Sequence, residues 1–238
     1  LKETGRASAL FAGWQDSIVW SAVQGVMGKI YVDSLEKPES GAVMLGDFCF
    51  LSGKTDSEVI SGALANSASE EVILVPQNDD WLQMIEECYG EKAEKTVRYA
   101  IKKEPGVFDL KQLQKVTQSL PREYEIKLID QALFEICRDT QWSKDLTANY
   151  ESYSQYKEYG LGVCILTGGE VVAGISSYSG YGRRSDENLG CHGGIEIEVV
   201  PVRTTGEKVL HISEQHGCFW SATNAGFIQT GMQPTKCQ

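Results

Sequence analysis

Basic charge is what this chain is short of. Over 238 residues, 22 Lys and Arg stand against 33 Asp and Glu, a net charge of −11. A surface of that sign repels phosphate backbones and anionic headgroups, which excludes a general nucleic-acid binder or a polybasic membrane-surface protein. Long apolar runs are missing too, since nothing approaches the roughly 18 consecutive apolar residues that a spanning helix requires. No charged start leading into an apolar stretch marks a signal peptide, so the expected compartment is the cytoplasm. The chain begins at Leu1 rather than Met, as a fragment edge or a processing product would. Paired cysteine spacing is also absent. The seven cysteines stand far apart at 49, 88, 137, 164, 191, 218 and 237, with no C-x-x-C pair. A disulfide framework is thereby excluded, and reduced, mostly buried thiols are expected.

What is present suits a folded protein. With 42% hydrophobic and 23% charged residues, the chain can bury a core, and its length fits one large domain or two small ones. From Ser8 to Met27, apolar residues at three- and four-residue spacing (Leu10, Phe11, Trp14, Ile18, Ala22, Val26) predict an amphipathic helix ending at Gly28. Trp14 and Trp20 on it are expected in the core. Lys29–Asp33 and Gly41–Leu51, separated by the turn-prone Glu36–Ser40, predict a hairpin. A capped helix over Asp56–Ala65, a buried strand over Glu71–Pro76 and an acid-started helix over Asp79–Tyr89 complete a small α/β unit. Beyond it come a strand over Thr96–Lys102, a helix over Asp109–Ser119 and an undivided strand-to-helix passage over Tyr124–Cys137.

Tyrosines at 150, 153, 156 and 159 stand among polar residues, and the segment reads as an exposed link or lid. Two readings stay open for these rings: packing over the core, or lining a pocket for a cationic amine. Next, Gly162–Leu166, the turn Thr167-Gly168-Gly169-Glu170 and Val171–Tyr178 predict a second hairpin. A glycine-rich charged loop follows, with Arg183 and Arg184. Then Gly194-Ile195-Glu196-Ile197-Glu198-Val199 alternates strictly, as a strand does, with the two glutamates on one face.

Several blocks together carry a resemblance. Phe11–Phe50, with Gly13-Trp14, Ile18-Val19-Trp20-Ser21, Gln24-Gly25, Met27-Gly28, Val32-Asp33 and Gly46-Asp47-Phe48-Cys49-Phe50, then Tyr159–Val163 and Ile195–Glu198, resemble the GNAT acetyltransferase family that includes zwittermicin A resistance proteins. The resemblance implies an α/β (α+β) fold, with an N-terminal α/β unit over residues 1–145 and a C-terminal GNAT core opening over 146–199. It implies an N-acetyltransferase moving acetyl from acetyl-CoA to a small-molecule primary amine, the family name suggesting an aminopolyol antibiotic and hence resistance. Backbone groups of Val199 and Val200 would pair with the pantetheine amides. The acceptor and the oligomeric state stay open.

Amide formation requires a neutral amine, so a carboxylate must accept its proton, and burial can raise a glutamate's pKa toward that task. Glu196 and Glu198 are the candidates, the resemblance favouring Glu196. The alternative is that both are solvated residues on an open strand face. Cys191, His192, His211, His216 and Cys218 lack paired ligand spacing, so no metal is expected.

The resemblance also implies an R-x-x-G-x-G/A loop within about ten residues of Glu198, where backbone N–H groups at a helix N-terminus hold the pyrophosphate. Pro201–Val209 contains no complete match to it. From Val199 onward the chain has no Asp, a single Leu at 210 and two of the three histidines. Combining the third base of each codon with the first two of the next permits Y-R-G-K-G-L-A-Y across Thr204–Ile212. Across Gly226–Gln238 it permits L-Y-P-D-W-D-A-A-N-K-M-S, where the family carries Y-P-x-W-D-A-x-N. Two family motifs in one shifted frame point to a frame shift near Val199–Pro201, making 200–238 a shifted tail. Such a chain would bind acetyl-CoA poorly and expose a strand edge after Val199. A non-catalytic protein, either a decayed acetyltransferase or a binding module, is the competing class.

Overall fold

The Asp16 carboxylate accepts the Ile18 N–H, and that cap divides the first predicted helix in two. The computed structural model describes residues 4–69, 71–96 and 109–182, together with the backbone of strands at 195–200, 214–216 and 227–231. Helix α1 is Thr4–Ala7 and helix α2 is Ser17–Val23, with turns between them instead of one continuous helix over 8–27. An aspartate at an N-cap supplies an acceptor for N–H groups that have no partner within the helix, so it starts a new helix at its own position. Apolar spacing is kept across the break because both segments pack on the same core. Trp14 and Trp20 are buried as expected; the Trp20 ring N–H donates to the Trp14 carbonyl at 2.7 Å.

The chain forms two compact units, residues 1–100 with 220–238, and residues 101–219. In the first, β1 (Lys29–Val32), β2 (Ser40–Leu45) and β3 (Phe48–Gly53) form an antiparallel meander. The predicted single strand over 41–51 is therefore two, turned at Gly46, whose φ is 58°, a conformation that glycine adopts without a Cβ penalty. Helix α3 (Ser57–Leu64) leads to β4 (Glu71–Pro76), which lies parallel to β3 as a βαβ crossover allows. Helix α4 is Asp79–Tyr89 and β5 is Ala93–Thr96; residues 97–102 of the predicted strand lie outside the described residues. Leu51, Ile60, Leu74, Trp81 and Ile85 fill the core between sheet and helices.

Helix α5 (Leu110–Gln118), strand β6 (Tyr124–Leu128), helix α6 (Gln131–Asp139) and helix α7 (Tyr153–Tyr159) lead into β7 (Gly162–Thr167) and β8 (Glu170–Gly180). These belong to the second unit, so β6 and α6 go with the second unit and not with residues 1–100. The β7–β8 turn uses Gly168 and Gly169 at φ 57° and 87°, the primed-turn geometry that matches strand twist. Strand β9 (Ile195–Val200) continues the sheet, and β10 (Glu214–His216) pairs with it, giving the order β10-β9-β8-β7-β6. In the first unit, β11 (Phe227–Gly231) inserts between β4 and β5. Strand β10 pairs with β9 over Ile195–Ile197, and that register stops short of Glu198–Val200; residues 201–213, beyond the edge expected after Val199, lie outside the described residues.

Of the four cysteines among the described residues, Cys49, Cys137 and Cys164 are buried free thiols. Cys88 departs from the expectation, being disulfide-bonded.

Candidate active site

Strand β8 organises the site. On one side it pairs antiparallel with β7, placing Gly174 opposite Cys164 and Ser176 opposite Gly162. On the other it pairs with β9, placing Gly174 opposite Val200, Ile175 opposite Val199, Ser176 opposite Glu198 and Ser179 opposite Glu196. The ladder shifts register between Ser177 and Ser179. A bulge of this kind bends a strand and leaves one residue unpaired, so the two glutamates meet β8 on either side of an irregular step.

Tyr150 and Tyr156 of the tyrosine segment pack onto β8, while Tyr153 and Tyr159 are half-buried. Ser152 caps α7 by accepting the Gln155 N–H, and one helical turn carries Tyr156 to the Ser176 hydroxyl at 2.9 Å. Tyr150 reaches the neighbouring Ser177 hydroxyl at 2.7 Å, and Ser177 Oγ also accepts the Leu161 N–H at 2.9 Å. Tyr150 and Tyr156 meet edge to face with centroids 4.8 Å apart, and Tyr156 also meets Phe134 of α6. Both tyrosines are buried, so packing over the core, one of the two open readings, is what they do. Burial pushes the Tyr150 hydroxyl up to about 12 and raises that of Tyr156 as well. Both phenols are therefore neutral hydrogen-bonding groups at physiological pH.

Beneath Gly174 lies a pair of thiols. Cys137 Sγ on α6 is 3.8 Å from Cys164 Sγ on β7. The hydrogen bond to Cys137, together with burial, pushes the Cys164 thiol up, so it stays protonated. A Cβ at Gly174 would meet Leu146 Cδ1 at 2.5 Å, which explains glycine in the middle of a strand. Arg138 donates to the Tyr150 and Glu151 carbonyls and ties the α6 C-terminus to the start of the tyrosine segment.

Pantetheine would require main-chain donors and acceptors along an extended edge. Among the described residues, the β9–β10 pairing covers Ile195–Ile197 and does not reach Glu198–Val200. The anion cradle is another matter, since Arg203-Thr204-Thr205-Gly206 after Val200 is followed by Lys208 where the R-x-x-G-x-G/A pattern requires Gly or Ala. Arg183, Arg184, Cys191, His192, His211 and Cys218 lie outside the described residues, and His216 is described by its backbone alone. Among the described residues no group of three or more His, Cys, Asp or Glu could hold a metal ion.

Sequence reasoning found the strand that carries Glu196 and Glu198 but missed the Tyr150–Ser177 and Tyr156–Ser176 pairs and the adjacent thiols. A faint signal existed: consecutive serines inside an apolar strand require partners if buried.

A five-stranded antiparallel sheet with helices α6 and α7 packed against it, and a bulged ladder beside two strand glutamates, makes a mixed α/β unit. The chain belongs to the GNAT acetyltransferase family, whose profile matches residues 8–200. It is similar to the crystal structure of a GCN5-related N-acetyltransferase-like protein from Streptococcus suis, at 38% identity, over 85% of this chain and 76% of that one, with a TM-score of 0.70. Weaker likenesses reach the C-terminal domain of a putative lysylphosphatidylglycerol synthetase from Agrobacterium fabrum, at 10% identity over 74% of this chain and 63% of that one, TM-score 0.30. The L-PGS of Bacillus licheniformis matches at 13% identity over 72% and 60%, TM-score 0.27. No curated protein matches the chain, and no helix among the described residues is long and apolar enough to cross a membrane.

Proposed function

We propose that this chain is built as an N-acetyltransferase that takes acetyl from acetyl-CoA to a small-molecule primary amine, and that its residues after about 199 impair it. The observation that carries the reading is the β8–β9 ladder in a GNAT family member. It sets Glu196 and Glu198 beside a bulge and leaves the edge at Glu198–Val200 beyond the reach of β10. Glu196 or Glu198 accepts the amine proton, directly or through one water, as nitrogen bonds to the acetyl carbon and the carbon–sulfur bond breaks. Main-chain groups of Val199 and Val200 hold the pantetheine arm. Net charge of −11 favours a cationic acceptor, and an aminopolyol is the acceptor class we put forward, with antibiotic resistance as its consequence.

The family match ends at residue 200, close to the point at which the shift is inferred from the codons. That supports reading 200–238 as a tail without the pyrophosphate cradle. Thiol release from acetyl-CoA with a panel of amines, measured on this chain and on a chain whose frame is restored after residue 199, tests both parts. Activity confined to the restored chain is expected. Equal activity in the two removes the impairment, and inactivity of both with every amine removes the acetyltransferase reading. DNA sequencing across codons 199–201 provides a direct check: an intact frame with no insertion or deletion relative to an active relative overturns the shift.

A further inference from the structure

We propose that β6 is a self-complementary edge through which two copies of this chain pair. Among the described strands, β6 ends the five-stranded sheet, bonded to β7 on one side. All five of its residues are exposed, and its sequence reads Tyr124-Glu125-Ile126-Lys127-Leu128. Strand alternation places Tyr124, Ile126 and Leu128 on one face, at 38%, 43% and 66% exposure. Glu125 and Lys127 share the other, with Lys127 Nζ 3.0 Å from Glu125 Oε2. Three large apolar side chains in a row on an edge strand are an open invitation to pairing unless something restricts it.

The backbone settles which residues can bond a partner. Ile129 donates its N–H to the Gly162 carbonyl at 3.0 Å, so the odd-numbered residues of this strand direct their main-chain groups toward β7. Ile126 and Leu128 then direct theirs to the free edge, as antiparallel alternation requires. A two-fold axis at Ile126 makes it a hydrogen-bonded pair with its own copy, each N–H donating to the other carbonyl. In that register Glu125 faces Lys127 of the second copy and Lys127 faces Glu125. Tyr124 faces Leu128, and Leu128 faces Tyr124. A two-fold at Glu125 or at Lys127 would still pair outward-facing main-chain groups but would set like charges opposite each other. The Ile126 axis alone matches all five positions, and cross-strand pairs of this kind are the unit of sheet stability. The sequence of the strand is thus complementary to itself when reversed, and the charges that would repel a misregistered copy select this one.

A ladder of five residues is short, so the dimer belongs among weak, concentration-dependent associations. Sedimentation velocity of the full chain over a wide concentration range tests it. The wild type is expected to shift from monomer to dimer as concentration rises. Glu125→Lys alone sets lysine against lysine, and Lys127→Glu alone sets glutamate against glutamate. Each single variant is expected to dimerise at least about tenfold more weakly. An equimolar mixture of the two single variants brings lysines at both positions of one copy against glutamates of the other and recovers the dimer. The double exchange Glu125→Lys with Lys127→Glu also dimerises as the wild type does, so a single variant that misfolds leaves the test intact. A wild type that stays monomeric throughout, single variants that dimerise like the wild type, or a mixture or double variant that fails to recover the dimer overturns the proposal.

Discussion

Tyr156 on α7 donates to or accepts from Ser176 on β8 at 2.9 Å in a buried setting, and Ser176 stands opposite Glu198 in the ladder. One hydroxyl pair therefore fixes the position of a helix against β8, the strand that pairs with the one carrying Glu198. Removing the tyrosine hydroxyl leaves the serine unsatisfied inside the unit. Tyr156→Phe is expected to lower stability by about 1–3 kcal/mol. Tyr150→Phe costs less, because Ser177 Oγ keeps the Leu161 N–H. Urea denaturation of the two variants checks the order.

Alkaline pH is expected to destabilise the protein. Burial pushes the Cys49 thiol up to about 12 from its ordinary 9.0, and Tyr150 up to about 12 from 10.0. An acid whose folded pKa is raised keeps its proton in the native state after the unfolded chain has lost it. The stability it contributes is complete below the unfolded value and is lost as pH rises toward the folded one. Cys49 acts from about pH 9 and Tyr150 from about pH 10, each with a limiting slope of about 1.4 kcal/mol per pH unit. Stability of Cys49→Ala measured against pH should fall less steeply from 9 to 12 than that of the wild type, and parallel curves would contradict this.

Buried thiols react only when the chain opens. Cys49, Cys137 and Cys164 are all inaccessible, so an aromatic disulfide reagent is expected to label them at the rate of local or global unfolding and to label them at once in denaturant. Fast labelling of the native protein, mapped by mass spectrometry to Cys137 or Cys164, would show that helix α6 lifts from β7.

Two glycines should respond to alanine in opposite directions. Gly53 has φ +80°, and a Cβ there would run into the Glu39 carbonyl oxygen; Gly53→Ala is expected to cost more than about 2 kcal/mol. Gly62 lies within α3 with nothing near a new Cβ. Gly62→Ala should stabilise by about 0.5–1 kcal/mol through helix propensity. Thermal melts of both variants read the contrast.

In a frame-restored chain, Glu196→Gln and Glu198→Gln separate catalytic from solvated carboxylates. Loss of the general base is expected to lower kcat by about 10²–10⁴ at neutral pH with little change in KM for acetyl-CoA. A variant with unchanged kcat leaves the mechanism.

Local chemistry alone was enough for much of the fold. Asp56 and Asn78 cap α3 and α4, the Val72–Val75 run forms buried β4, and Gly168-Gly169 turns the β7–β8 hairpin. The alternation over Ile195–Val199 forms β9. Each rests on interactions within a few residues, which the order of side chains dictates. The first helix failed because apolar spacing does not register the Asp16 cap that interrupts it, and strand β3 was hidden because Gly46-Asp47 sits inside an otherwise unbroken apolar run.

Tertiary structure decided what lies far apart in sequence. Tyr150 and Ser177, Cys137 and Cys164, and the register of Glu198 against Ser176 are pairings 22 to 27 residues apart. Nothing local chooses among the partners available at such separations; only packing of α6 and α7 onto the sheet does. The same holds for β6, which the sequence leaves inside an undivided strand-to-helix passage until the ladder to β7 shows its bounds and which of its main-chain groups face outward.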